Sequence, residues 1–172
     1  MRRRHSVPRE VTDSLALERH ERILAAGSDV SGRWVVATNL AIHLPGESGA
    51  PHHRVPWEQV EHAEWDRDAE LLRVTETAPL GEPQPTSTFR FEQPDVSLLG
   101  LIRERITASV VFEQRVALRG RRGIRVIARR APGVGTALLW AVAFDEGIDP
   151  DDPEILAAAE RALAAVRAEV EP

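Results

Sequence analysis

Cysteine is absent from the 172 residues, which removes disulfide bridges, thiol catalysis and thiolate-bound zinc together. A chain of this length does not need staples, so the absence suits a reducing cytoplasm. Lysine and tyrosine are missing too, and all 22 basic residues are arginine. With alanine, valine, glycine and proline plentiful, this reads as the codon bias of a GC-rich bacterial genome, so arginine abundance alone says little about phosphate recognition. Long apolar runs are also lacking. The longest, Ala137–Phe144, is far too short to cross a bilayer as a helix. Met1-Arg2-Arg3-Arg4-His5 carries the charge of a signal peptide, but Val7-Pro8-Arg9-Glu10 supplies no apolar segment behind it. A cytoplasmic protein is expected.

What is present is ordinary globular material: 42% hydrophobic and 28% charged residues, with a net charge of −5. That suffices for a packed core and argues against disorder. The length fits one domain, or a small domain with a substantial extension.

Residues 1 to 20 have Pro8 and mixed charge without clear periodicity and read as a tail or a short helical lead-in. From Glu21 the pattern becomes short strands between turn residues: 21–26, 32–38, 40–44, 54–57, 59–65, 71–76 and 86–91. Asn39 tolerates the left-handed backbone of a tight hairpin, which places a turn at Thr38-Asn39. Simple alternation in the fifth run puts Val60, His62 and Glu64 on one face and Glu61, Ala63 and Trp65 on the other. Pro94-Asp95 opens a helix in which Val96, Leu98, Leu99, Ile102 and Ile106 recur at helical spacing, ending near 107–109. Three further strands follow, 110–118, 123–129 and 136–144. Asp149-Pro150-Asp151-Asp152-Pro153 then caps a last helix with an apolar face of Ile155, Leu156, Ala159, Leu163 and Val166.

The segment Gly32-Arg33-Trp34-Val35-Val36-Ala37-Thr38-Asn39-Leu40-Ala41-Ile42-His43 resembles the second and third strands of GRAM-like and bacterial PH-like domains. Val55-Pro56-Trp57-Glu58-Gln59-Val60 is similar to their next segment. The resemblance covers about residues 21–107. It implies an antiparallel PH-like β-barrel closed by one helix (21–109); the strands and helix of 110–172 lie outside the family pattern and read as a C-terminal βββα extension, which makes the whole an α+β fold. Lipid-binding members use a basic cluster around the first two strands. Here that region holds only Arg22 and Arg33, so the resemblance implies a protein partner rather than a lipid headgroup.

No catalytic, cofactor or metal motif is present: HExxH, G-x-S-x-G and P-loop patterns are all missing. His52-His53, with His43 a strand away, is the nearest approach to a metal set. Adjacent side chains on an extended chain diverge, so surface-loop histidines are the expectation. Glu58, Glu61, Glu64, Asp66, Asp68 and Glu70 crowd one hairpin and read as a solvated acidic face. Trp57 and Trp65 beside them are candidates for a protein contact.

The strongest candidate is the hairpin 115–130, where Arg119, Arg121, Arg122, Arg125 and Arg129 could meet a protein partner or follow phosphates. The acidic segment around Asp145, Asp149, Asp151 and Asp152 could neutralise it within the fold or across a dimer. The 138–144 strand is apolar on both faces and needs cover on both, from the last helix and from another sheet or a second subunit. The expectation is therefore a non-catalytic binding or adaptor module with a protein partner and no cofactor. A homodimer has a physical motive. A nucleic-acid-associated protein, or an enzyme with a dispersed site, are the alternatives.

Overall fold

The computed structural model describes residues 6–133 and 137–171. The N-terminal arginine run, Val134-Gly135 of the glycine turn and Thr136, the expected start of the 136–144 strand, lie outside the described residues. After Pro8, a six-residue helix α1 (Arg9–Ser14) forms the short lead-in, and Leu15 behind it is buried.

Runs rich in β-branched and aromatic residues, broken by turn formers, favour hairpins over helices as far as Phe91. β1 (Ile23–Ser28), β2 (Trp34–Thr38), β3 (Ala41–Leu44) and β4 (His53–Pro56) make one antiparallel sheet in that order. The β2–β3 turn is where expected, but its basis differs. Asn39 does not have positive φ. Instead the Thr38 hydroxyl accepts the backbone N–H of Leu40 (3.1 Å) and of Ala41 (2.9 Å), closing the turn from its own side chain. The Asn39 amide is spent on the incoming chain, accepting from Arg22 N–H (2.7 Å) and donating to the His20 carbonyl (3.2 Å).

A short 3-10 turn, Trp57–Gln59, leads into the second antiparallel sheet, β5 (Val60–Asp66), β6 (Leu71–Glu76) and β7 (Thr86–Arg90). Helix α2 (Val96–Ser109) starts where the Asp95 carboxylate accepts the Ser97 N–H at 2.9 Å. It lays Leu98 and Ile102 on a core centred on Trp57, which is fully buried and donates its indole N–H to the Thr38 carbonyl at 3.0 Å. The third sheet follows directly, β8 (Val110–Arg119), β9 (Arg122–Arg130) and β10 (Leu138–Phe144), ordered β10-β9-β8. Helix α3 (Pro153–Val170) then returns with Asp152 as its cap. The fold is α+β with three separate antiparallel sheets, and among the described residues no sheet closes on itself into a barrel.

A second core lies between the third sheet and α3, where Ile124, Val126, Trp140 and Phe144 meet Ala159 and Val166. The opposite face is covered as well. Ile127 and Ala141 there are each only 5% exposed, and β9 packs against the Trp57–Gln59 turn. Ala141, at the centre of β10, is thus covered within one chain, while the other residues of the strand are half-buried.

Arg129 joins the two halves. It is 3% exposed and donates to the Glu61 carbonyl (2.7 Å), the Ser109 hydroxyl (2.9 Å) and the Ile106 carbonyl (3.3 Å). Ile106 and Ser109 lie in the last turn of α2, where a cation is favoured. Glu61 sits in a β-bulge: Val60 pairs with Glu76 and His62 with Thr75, leaving Glu61 out of the ladder. The bulge also corrects the expected alternation. Ala63 and Trp65 face the core and His62 and Glu64 face solvent, but Val60 is buried rather than grouped with His62. Replacing Arg129 by Met takes the guanidinium from the Glu61 carbonyl and the Ser109 hydroxyl, and leaves the Ile106 carbonyl with the Ser109 hydroxyl alone. Urea denaturation of Arg129→Met is expected to show a loss of about 2 to 3 kcal/mol, while Arg130→Met, one residue on and exposed, stays within about 0.5 kcal/mol of the parent.

Candidate functional site

The side chains singled out in the sequence are dispersed by the fold. Trp57, a candidate for partner contact, is fully buried and offers no surface to one. Trp65 is half-buried, packs on the first core and meets Phe91 edge-on at 6.5 Å. Within the arginine hairpin, Arg119 pairs with Asp152 (2.8 Å), Arg125 with Glu113 (3.5 Å) and Arg115 with Asp145 (2.6 Å). Arg129 lies inside the protein, out of reach of any phosphate. Arg121 and Arg122 remain exposed at the tip, and among the described residues neither forms an ion pair. The acidic segment before α3 therefore neutralises much of this hairpin within one chain.

The three histidines go separate ways. His52 bonds the Trp34 carbonyl at 3.0 Å, and exposed His53 reaches Glu76 at 2.9 Å, tying β4 to β6. His43 is buried, with Nε2 2.9 Å from the Glu21 carboxylate. Glu21, which looked like an ordinary strand-start residue, is the centre of a buried network. Its oxygens also accept from the Thr38 hydroxyl (2.6 Å), Arg54 Nε (3.0 Å) and the Glu18 N–H (2.9 Å). Burial by itself would raise its pKa, but these donors together outweigh it and hold the carboxyl at about 2. Burial lowers His43 in turn, more than Glu21 raises it. The pair is a carboxylate with a neutral imidazole. Glu21 only accepts, so Nε2 carries the hydrogen, and Nδ1, which has no hydrogen-bond partner, is a bare acceptor. Among the described residues, no three His, Asp or Glu side chains converge as a metal set.

A cleft of about 690 Å³ opens between the two halves. Its outer wall is the connection 78–85 between β6 and β7, stiffened by Pro79 and Pro83. The wall is pinned at Leu80, which packs into the second core, and at Gly81, whose positive φ (85°) and approach to Leu156 leave little room for a side chain. The floor is the C-terminal half of β10, Val142–Phe144, and the end is closed by the turn 145–151. That turn is held by Asp145, which accepts from Arg115 and from the Gly123 N–H at 2.8 Å.

Glu61 lines the cleft beside the bulge, its carboxylate accepting from the Gln84 amide. Burial pushes its carboxyl above the ordinary value, and Gln84, His62, Arg129 and Arg125 offset this only in part. The sequence showed Glu61 merely as one of six acids in a hairpin. No signal in it indicated that the 78–85 connection and the third sheet would half-bury this one. Of the others, Glu64, Asp66 and Asp68 are exposed, as expected of a solvated face.

No protein-family model matches the chain, and no curated protein matches it.

Two titrations follow. A His43 held neutral and a Glu21 held ionised both make acid destabilising. Stability is expected to fall below pH 6.5 as the unfolded state gains the His43 proton first. It falls again between pH 4.5 and about 2, as Glu21 is protonated, a second step on the order of 3 kcal/mol. Glu21→Gln at pH 7 is expected to cost about 3 to 5 kcal/mol, because Arg54 and His43 lose a buried partner. Glu61 has the opposite sign. Its raised pKa means that the unfolded state ionises first, so this group costs stability as pH rises above 4.5. Glu61→Gln, which keeps an acceptor for Gln84, is expected to have a higher urea midpoint than the parent at pH 7 and an unchanged one at pH 4.

Proposed function

We propose that this chain is a non-catalytic binding module for a protein partner. Residues 21–109 would form a bacterial PH-like or GRAM-like unit and residues 110–172 a βββα extension that completes its binding site. The support for the unit is its order: a four-stranded antiparallel sheet, a three-stranded antiparallel sheet and then one helix packed on both. This is the succession of short strands and a closing helix that the resemblance implies.

The observation that carries the proposal is the cleft. It has the size of a ligand site, walls from both halves of the chain and β10, an edge strand, along its floor. A nucleic-acid role is disfavoured by the arginine hairpin itself, since Arg115, Arg119 and Arg125 are neutralised internally and Arg129 is buried. No helix among the described residues is long and apolar enough to cross a membrane.

The test is affinity capture from nuclease-treated native extract with three forms of the tagged chain. The parent is expected to retain a stoichiometric protein, and Ala143→Arg, which fills the cleft from β10, to lose it. The Arg121→Glu/Arg122→Glu variant is expected to keep it. Loss in the arginine variant alone would move the contact to the hairpin tip, and retention of nucleic acid in place of protein from a parallel extract without nuclease would overturn the proposal.

A further inference from the structure

β10 ends the sheet order β10-β9-β8, so one of its sides pairs with β9 throughout Leu138–Phe144 and the other faces away. Among the described residues no backbone hydrogen bond occupies that outer side. An unpaired strand edge is a row of N–H and C=O groups spaced to receive another strand. Exposed edges are ordinarily defended by charge, proline or a cover. The β10 edge carries only apolar side chains, Leu138 to Phe144, and at its C-terminal half it opens into the cleft. An extended residue fills about 160 Å³, taking a 3.3 Å rise, 4.8 Å strand spacing and a 10 Å layer. By that measure, the cleft of 690 Å³ holds about four residues of an added strand.

The charge around the cleft selects among such strands. Glu61, Glu82, Glu146 and Asp151 line it, and among the described residues none of the four forms an ion pair. The cleft's Arg125 is already matched by Glu113, and Asp145 by Arg115. What remains is a negative field between low-dielectric walls, which concentrates cations and repels phosphates and acidic chains. The walls between the carboxylates are apolar, through Leu80, Pro83, Val142 and Phe144. A strand that alternates basic and apolar side chains meets both demands at once, because successive side chains point to opposite faces.

We propose that the cleft binds an extended, arginine- or lysine-bearing peptide segment, which adds as a fourth strand on the outer edge of β10 and directs its cations to Glu61, Glu82, Glu146 and Asp151. This rests on the binding-module proposal and names its site and partner class. Main-chain pairing supplies the affinity, and the carboxylates supply the choice of sequence and a dependence on salt.

The experiment uses the full chain and three fluorescein-labelled hexapeptides: alternating valine–arginine, alternating valine–glutamate, and the valine–arginine peptide with its backbone nitrogens methylated. Fluorescence anisotropy is expected to show binding of the first alone, weakened tenfold or more by Glu61→Gln/Glu146→Gln and by a rise in salt. Circular dichroism confirms that the double variant is folded. Equal binding of the glutamate peptide overturns the choice of cations, and undiminished binding of the methylated peptide overturns strand addition. If no peptide binds but the chain still captures a protein that Ala143→Arg loses, the basic-strand occupant is wrong and the module stands. If neither peptide nor protein is bound, the module itself is wrong. Sedimentation showing a dimer broken by Ala143→Arg would assign the edge to a second copy and overturn the peptide.

Discussion

A guanidinium shielded from water has to find acceptors on the protein, and Arg129 finds them on two elements that are not otherwise neighbours in sequence. One is the last turn of α2, whose carbonyls are left over where the helix stops. The other is the bulged residue Glu61, whose carbonyl has left the β5–β6 ladder. Each of these acceptors would be costly to bury alone. Satisfying them together seats the third sheet against the first core and sets the distance between β10 and the 78–85 connection. The cleft is the space this seating leaves.

The same seating sorts the charges. An arginine-rich hairpin and an acidic turn, far apart in the chain, meet as Arg115–Asp145 and Arg119–Asp152 at the mouth of the second core. Exposed pairs of this kind add little stability. Their larger effect is subtractive: they cancel part of the positive field that the hairpin would otherwise project. Around the cleft, Glu61, Glu82, Glu146 and Asp151 line the walls without an ion pair among the described residues. Of the exposed arginines of the hairpin, Arg115, Arg119 and Arg125 are matched by carboxylates, and Arg121 and Arg122 at the tip are not.

The Glu21 network works differently. Its carboxylate is surrounded by donors from β2, β3 and β4, so the residues just before β1 are tied across the whole first sheet. A buried ion with four donors is specific in a way that apolar packing is not, since a strand slipped by one residue would leave it unpaired. Thr38 serves twice, closing its own turn and donating to Glu21. Glu61 sits at the other extreme, a carboxyl held where burial disfavours its charge. Such a group costs the fold something and is free to gain from a cation.

Local physics was enough to place nearly every element. Period-two runs bounded by Gly, Pro, Asn and Asp mark the strands, and a 3.6 period behind Pro94-Asp95 and Pro153 marks the helices. Those patterns depend on neighbours within a few residues, and β6 and α2 fall where they indicate. The same local logic misplaced Val60, because a bulge is a decision about pairing with another strand. It also could not show that Trp57 would be a core residue rather than a partner contact, or that Arg129 would be buried while Arg121 stayed outside. Composition established an acidic, cysteine-free chain, and the periodicity of its runs an α+β one. Which arginines are neutralised, which glutamates are stranded and which strand keeps an open edge were decided only when distant segments packed, because charge cancellation and burial depend on distances in space.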